Sequence, residues 1–213
     1  CAFVRIDEPF LCFTWIFDVL MLGTGVGVSV ERRHVQKLPP VLQSTQGHSR
    51  ITVTRCDTND ADFIVPDSRS GWVSLLEKVL LAFFKDGKSF TYSTILIRNK
   101  GAQIKGFGGT DSGPEDLCVG IANIVKILQE RGGEQLTSVN CLDIVNIIGA
   151  IVVAGNIRRS ALLVVGDMDD VEFLHAKRWD LGGIPNWRAM SNNSVACNDT
   201  TKLPPQFWEG YYG

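Results

Sequence analysis

The sequence predicts an α/β protein whose main sheet is largely parallel. Short apolar runs typical of buried strands alternate along the chain with helical patterns, and the joints between them are short and carry glycine. No internal repeat interrupts this order. Strands that alternate with helices favour a parallel sheet covered by those helices. The chain has 213 residues, 45% of them hydrophobic, which is enough for one globular domain or a large part of a bigger one.

The first hundred residues predict the start of this sheet and then a small separate unit. The segment "FLCFTWIFDVLML" is apolar nearly all round and predicts a buried helix over 10–22, between strands at 1–6 and 25–31. A polar loop follows. The next predicted elements are a strand at 50–56, an amphipathic helix from about Trp72 and a strand at 89–97. Strand, helix and strand in this order predict an insertion with its own small core.

The second half predicts two long helices, two strands and shorter helices. Pro114 suits the first turn of a helix, and Glu115 and Asp116 complement its dipole, so a helix is predicted over 114–131. A more buried helix is predicted over 138–154. The remaining predicted elements are a strand at 159–165, a capped helix at 167–178, a strand at 190–198 and a helix beginning near 203.

Composition excludes several classes of protein. The net charge of −2 and the pI of about 5.9 argue against a broad nucleic-acid-binding face. The longest apolar run, 141–157, contains Asp143, two asparagines and two glycines, which predicts a buried helix rather than a membrane span. The six cysteines form no C-x-x-C pair, and "GDMDD" at 166–170 lacks the spacing of a calcium loop, so no metal site is predicted. Cysteines in apolar contexts predict reduced thiols in a cytoplasmic protein.

Three glycine-containing motifs could bind a nucleotide. "GTGVGVSVE" at 23–31 has the wrong glycine spacing and the wrong element order for a dinucleotide fingerprint, so a tight turn is predicted there. "KGFGGTDSGP" at 105–114 precedes a helix start, where converging N–H groups attract anions, although a surface loop is an equal alternative. "GNIRRSA" at 155–161 places two arginines between apolar segments. Arginine fits phosphate, and the alternative is one ion pair plus one solvated side chain.

The polar run "SNNS" at 191–194 begins the predicted strand at 190–198. Asn and Ser side chains at the end of a strand can hydrogen-bond a sugar hydroxyl. They can equally cap a helix or form an Asx turn. The run is therefore a candidate substrate contact with a local structural alternative.

Taken in order, these motifs resemble one family. "CAFV", "DVLMLGTGVGVSVERRHV", "KGFGGTDSGPEDL", "GNIRRSALLVVGDMDD" and "RAMSNNSV" are similar to stretches of the adenosylcobalamin-dependent ribonucleotide reductases, and most similar to the monomeric type that reduces ribonucleoside triphosphates. The resemblance implies a partial ten-stranded α/β barrel, of which this chain holds the first five-stranded half and a small α+β insertion. The implied divisions are a barrel start at 1–44, an effector-site insertion at 45–100 and a barrel continuation at 101–213.

The resemblance also implies a thiyl-radical reduction of ribonucleotides for deoxyribonucleotide supply. Cys1 matches the first cysteine of the redox pair, and its partner, the radical cysteine and most adenosylcobalamin contacts are expected beyond Gly213. A chain that begins at Cys1 is expected to be a fragment that is inactive alone. The implied partners are a ribonucleoside triphosphate substrate, a deoxynucleoside triphosphate effector and a thioredoxin-type reductant. A monomer without membrane or nucleic-acid partners is implied for the whole enzyme.

Individual site residues follow from the same match. The predicted substrate-binding residues are Ser191, Asn192, Asn193 and Ser194. The predicted residues of the effector and specificity loops are Lys105, Gly108, Gly109, Thr110, Ser112, Asn156, Arg158 and Arg159. A different class of function remains as the alternative: a non-catalytic nucleotide-binding module that keeps only the effector site.

Overall fold

The computed structural model of the chain describes residues 1–44, 50–102, 112–154 and 161–212. It contains two sheets whose strand pairs are all parallel, with helices between the strands. The α/β class predicted from the sequence is therefore confirmed. The closed barrel implied by the resemblance stays a prediction, because the described residues of the larger sheet form four strands.

The larger sheet, called the main sheet below, has the order β1-β2-β6-β7. Its strands are β1 (Ala2–Arg5), β2 (Val26–Ser29), β6 (Leu162–Asp167) and β7 (Ser191–Ala196). Ala2 is level with Val26, Val26 with Leu162, and Leu162 with Ser191. All four strands therefore begin at one edge, which we call the amino edge.

The smaller sheet belongs to the insertion and has the order β3-β5-β4. Its strands are β3 (Val53–Arg55), β4 (Phe63–Ile64) and β5 (Phe90–Ser93). The sequence predicted a strand over 89–97, but β5 ends at Ser93 because the next backbone N–H, that of Thr94, donates to Asp57 Oδ1 at 2.7 Å. The two-residue strand β4 was not predicted, since it is too short to show an alternating pattern.

Seven α-helices connect and cover these strands in the described part of the chain. They are α1 (Leu11–Met21), α2 (Arg32–Val35), α3 (Arg69–Leu81), α4 (Glu115–Glu130), α5 (Ser138–Ala154), α6 (Val171–Leu174) and α7 (Pro205–Tyr212). Helix α3 begins at Arg69 rather than near Trp72, because Ser68 Oγ accepts the N–H of Gly71 and caps it. Helix α5 has a reciprocal cap, in which Thr137 and Asn140 each accept the other's backbone N–H.

The capped helix predicted over 167–178 is much shorter in the structure. The helix has a cap, as predicted, but the cap is Asp170, which accepts the N–H of Phe173, and α6 ends at Leu174. The N–H of Ala176 then bonds to Phe173 O and that of Arg178 to His175 O. These i→i−3 bonds are those of tight turns rather than of an α-helix.

One face of the main sheet is buried beneath α1 and α5, and we call it the covered face. Val26, Val28 and Val164 lie there and are almost fully buried. Helix α4 packs on α5 at Gly120, where an added Cβ would lie 2.3 Å from Ile151 Cδ1. The core is thus built on one side of the sheet. Among the described helices, none is long and apolar enough to cross a membrane.

Candidate functional site

The other face of the main sheet carries the side chains that could take part in a reaction or bind a ligand, and we call it the open face. Strand alternation and register place its side chains in rows across the sheet. The row at the amino edge contains Cys1, Gly25 and Ala161, and the next row contains Phe3, Gly27, Leu163 and Asn192. Ser194 follows in the third row.

Cys1 is exposed at the amino edge and its thiol is unpaired. Its neighbours in the row are small. A Cβ added to Gly25 would lie 3.5 Å from Cys1 Sγ and 3.6 Å from Ala161 Cβ. The first row therefore leaves space over the sheet beside the thiol, which a substrate of moderate size could use.

Phe3 lies over β2 in the second row. A Cβ on Gly27 would be only 2.6 Å from Phe3 Cδ2, so the ring occupies the position that a side chain at residue 27 would need. Phe3 is nevertheless 57% exposed. An exposed aromatic ring beside a thiol is a surface on which a flat group can stack.

The structure divides the four predicted substrate residues between the two faces. Asn192 and Ser194 are exposed on the open face. Ser191 is buried on the covered face, where its Oγ accepts a hydrogen bond from Asn146 Nδ2 at 3.0 Å and donates one to Asn193 Oδ1 at 2.8 Å. The geometry supports substrate contact for Asn192 and Ser194, and gives Ser191 and Asn193 hydrogen bonds inside the fold instead.

Cys1 and the polar run lie at the amino edge, since Cys1 precedes β1 and the run begins β7. In the sequence, the segment with Asn156, Arg158 and Arg159 precedes β6. Residues 155–160 lie outside the described residues, so the roles predicted for these three stay predictions. Ligands of open α/β sheets usually bind at the opposite, carboxyl edge, and the sequence pattern did not show which edge would carry the site.

A second candidate site is a cavity of about 440 Å³ between the insertion and the start of α4. Its size is within the range of small-molecule sites. Its lining includes Arg55, Asp57, Lys100, Ser112, Glu115 and Asp116. Ser112 is the one predicted effector-loop residue that the structure describes. The others, Lys105, Gly108, Gly109 and Thr110, lie outside the described residues.

Arg55 is the central cation of this cavity. Its guanidinium donates to Asp57 Oδ2 at 2.8 Å, to Glu115 Oε2 at 2.9 Å and to Thr94 Oγ1 at 3.1 Å. The hydrogen bond from Arg55 holds the pKa of Glu115 below its usual value. Burial alone would raise the pKa of Asp57, but hydrogen bonds from Thr94 and Arg55 lower it overall. An incoming anion must therefore compete with carboxylates for Arg55.

The sequence reasoning missed the polar residues of α5. This helix is apolar over most of its length, yet Asp143 and Asn146 are both buried in it. They bind Arg188 and Ser191, which lie just before and at the start of β7. The sequence did contain a sign of this cluster: Asp143 and Asn146 are three positions apart in an apolar helix and so lie on one face of it. In the sequence analysis these polar residues served only as an argument against a membrane span.

The remaining thiols differ from Cys1. Cys12, Cys118 and Cys141 are buried. Burial raises the pKa of all three, that of Cys12 to about 11, so they are poor nucleophiles at neutral pH. Within the described ranges, no three His, Cys, Asp or Glu side chains are grouped so that they could hold a metal ion.

Comparison with known proteins decides the family. Residues 44–128 match the model of the B12-dependent ribonucleotide reductase insertion domain. Over 87% of its length the chain is 37% identical to the adenosylcobalamin-dependent ribonucleoside-triphosphate reductase of Lacticaseibacillus paracasei, and over 86% it is 39% identical to that of Lactobacillus leichmannii. A crystal structure of a B12-dependent (class II) ribonucleotide reductase superposes with a TM-score of 0.73 at 30% identity, over 92% of this chain and 33% of that one. The chain is homologous to one segment of the B12-dependent ribonucleotide reductases.

The family resemblance drawn from the motifs is thereby confirmed. The chain spans about 28% of the length of these two curated reductases. The reductase insertion-domain match begins next to the predicted boundary at residue 45 and extends beyond residue 100. The division at 100 therefore stays a prediction.

Proposed function

We propose that this chain is part of an adenosylcobalamin-dependent ribonucleoside-triphosphate reductase, which reduces ribonucleotides to deoxyribonucleotides under allosteric control. One observation carries the proposal: an exposed thiol, Cys1, begins the open face of a sheet that also presents Asn192. The relatives at 37% and 39% identity bear the name of this activity.

Cys1 is assigned as one cysteine of the redox pair. Replacing the 2′ hydroxyl by hydrogen consumes two electrons and releases water. Two thiols supply those electrons with two protons and become a disulfide. The buried Cys12, Cys118 and Cys141 are unsuited as partners because burial raises the pKa of each thiol. Following the family resemblance, the second cysteine is assigned to the part of the enzyme outside this chain, and a thioredoxin-type reductant would regenerate the pair.

The open face is assigned as one wall of the substrate site. Three strand spacings separate β1 from β7, so Cys1 and Asn192 are roughly 14 Å apart across the sheet. That distance is too long for both to contact one atom, and it suits contacts to two parts of one nucleotide. Asn192 and Ser194 offer hydrogen-bonding groups to the substrate.

Adenosylcobalamin enters the proposal through the relatives. Following the family resemblance, most of the cofactor site is assigned to the remaining length of the enzyme, and no residue of this chain is given a role toward it. A cytoplasmic monomer completes the proposal.

The cavity containing Ser112 is assigned to the deoxynucleoside triphosphate effector. It lies beside the start of α4, where the helix dipole favours an anion, and it contains two cations, Arg55 and Lys100. Glu115 opposes the anion because it pairs with Arg55. We expect Glu115→Gln to tighten deoxynucleoside triphosphate binding by about two- to fivefold, because the carboxylate that competes with the incoming anion for Arg55 is removed.

The same cavity supports the second candidate function, a non-catalytic nucleotide-binding module. The observation in its favour is that residues of the insertion and of the start of α4, among them Arg55 and Lys100, line the cavity together. Calorimetry of the 213-residue chain with deoxynucleoside triphosphates tests effector binding directly. Arg55→Ala should weaken that binding, whereas Arg178→Ala, which removes a partly buried ion pair with Asp180 outside the cavity, should not.

The catalytic proposal is tested by exchange of segments. This chain replaces the matching segment of the L. paracasei reductase, and turnover of ribonucleoside triphosphates is measured. Cys1→Ser should lower multiple turnover by about 100-fold or more, because the redox pair is lost. Cys197→Ser is the matched control and should stay within about twofold. Equal activity of the Cys1→Ser chimera would refute the assignment, and a chimera that binds effector but never turns over would favour the second function.

A further inference from the structure

Helix α5 holds β7 through buried polar side chains. Asp143 and Asn146 extend from the helix toward the start of that strand, and Asn146 is completely buried. We call Asp143 and Asn146, with their partners Trp187, Arg188 and Ser191, the α5 polar cluster. Elsewhere on the helix most residues are apolar and buried. The cluster is therefore a local exception in an apolar environment.

Asn146 starts a directed chain of hydrogen bonds. Its Nδ2 donates to Leu142 O at 2.9 Å and to Ser191 Oγ at 3.0 Å. Because Ser191 Oγ accepts from Asn146, its proton is free to donate to Asn193 Oδ1 at 2.8 Å. The side chains at 191 and 193 are thus both fixed on the covered face. Asn192 lies between them and must point to the open face.

Asp143 fixes the turn that leads into β7. Its carboxylate accepts two hydrogen bonds from Arg188, Nε to Oδ1 at 2.6 Å and Nη2 to Oδ2 at 2.8 Å. Trp187 Nε1 donates to the same Oδ1 at 2.8 Å. Both partners of the ion pair are largely buried, with side-chain exposures of 9% and 14%. Two-point contact of this kind fixes orientation as well as distance.

The cluster is not required to fill space. A buried polar atom that lacks a partner destabilises a fold, and Asn146 Oδ1 has no hydrogen-bond partner among the described residues. A leucine of similar size would avoid this cost. What an apolar side chain cannot do is hold Ser191 in one orientation.

We propose that Asn146 and Asp143 are positioning residues for substrate binding: they fix the start of β7 so that Asn192 is presented on the open face in one orientation. This inference rests on the proposed function, because Asn192 is a substrate residue only in that context. Asn146 and Asp143 touch no ligand themselves. They act through Ser191 and Arg188 on the strand that does.

A double-mutant cycle in the chimeric L. paracasei reductase that carries this segment tests the inference, because the open face is only one wall of the substrate site. The dissociation constants of ATP, GTP, CTP and UTP are measured for the unmodified chimera, Asn146→Leu, Asn192→Ala and the double variant. Asn146→Leu alone should weaken binding by about three- to tenfold, and it should have no further effect once Asn192 is alanine. Losses that multiply would overturn the inference, as would unchanged affinity in Asn146→Leu.

Amide hydrogen exchange is a second test of the inference, and it requires no nucleotide. Asn146→Leu should accelerate exchange in β7 by about tenfold and leave β1 unchanged. Ser191→Ala removes the same bond with little change of volume, and is used if Asn146→Leu does not fold. Ile147→Val is the control, because residue 147 faces Gly120 on α4 instead of β7.

The two proposals can fail separately. If no ribonucleotide binds to the unmodified chimera, the open-face site of the proposed function is refuted, while hydrogen exchange still decides whether the cluster holds β7. If ribonucleotides bind and exchange in β7 is the same in every variant, the positioning role is refuted and the proposed function stands.

Discussion

On β6, Val164 is fully buried against the helices, while Leu163, the next residue, is 40% exposed on the open face. The same alternation continues across the main sheet. The covered face carries aliphatic residues such as Val26 and Val28, and the open face carries a thiol, an aromatic ring, two glycines and an amide. The covered face stabilises the fold through buried apolar side chains. The open face can therefore hold a thiol and an amide, which would be unreactive or inaccessible if they were buried.

This difference can be tested with one substitution at two adjacent positions. Val164→Asp should prevent folding, because an unpaired carboxylate in the core costs several kcal/mol, a large part of a total stability of about 5–15 kcal/mol. Leu163→Asp is the matched variant and should change the free energy of unfolding by about 1 kcal/mol or less. Circular dichroism and urea denaturation measure both. Equal losses in the free energy of unfolding at the two positions would show that residue 163 is buried like residue 164.

Thiol labelling distinguishes the faces by rate. Cys1 is exposed, whereas Cys141 is fully buried in α5. Iodoacetamide should therefore label Cys1 at least about a thousandfold faster than Cys141, whose reaction requires an opening that costs about 4 kcal/mol or more. Mass spectrometry of timed samples gives the order. Labelling of Cys141 at the rate of Cys1 would mean that the covered face is not packed.

Two glycines, one on each face of the main sheet, allow the covered and open faces to be compared by the same substitution. A Cβ on Gly166 would lie 2.5 Å from Phe173 Cδ1, and one on Gly27 would lie 2.6 Å from Phe3 Cδ2. Phe173 is buried and Phe3 is exposed. Gly166→Ala should thus destabilise by about 1–3 kcal/mol, because a buried ring cannot move aside. Gly27→Ala should cost less than about 1 kcal/mol, and urea denaturation of both variants gives the difference.

The smallest effect on stability is expected in the insertion, where hydrogen bonds from polar side chains hold short strands in place. Asp57 has a folded-state pKa below its ordinary 3.8, so its contribution to stability is present above that value and is lost as pH falls through the folded pKa. Thr94→Val removes one hydrogen bond to Asp57 and brings the pKa back toward 3.8. The stability difference between the two proteins should therefore be larger at pH 7 than at pH 2. A difference that does not change with pH would contradict this.

Much of the fold could be predicted because its signals are local. Helix α5 was predicted with the bounds that it has in the structure, since its apolar run is long. The parallel sheet followed from the alternation of elements. Strand β4 could not be predicted, because it is two residues long and depends on its pairing with β5. The early end of α6 was missed because the tight turns that follow it are made by residues that would also suit a continued helix.

The candidate site was predictable in part for a related reason. Cys1 and the run 191–194 were found from motifs. Which of those four side chains reach the open face depends on the phase of β7, and Ser191 begins that strand on the covered face. The cavity with Arg55 and Ser112 joins residues far apart in sequence, so no linear pattern could show it.

The order of strands in the main sheet has a consequence for how the molecule forms. β2 pairs with β6, Val26 beside Leu162, so the whole insertion and both long helices lie between two neighbouring strands. Contacts between residues so distant in sequence close late in folding, because a long loop must lose its freedom first. The helices α4 and α5 and the insertion therefore have to acquire structure before the centre of the sheet can assemble. Folding of this chain should be slow, and its rate should be governed by the pairing of β2 with β6.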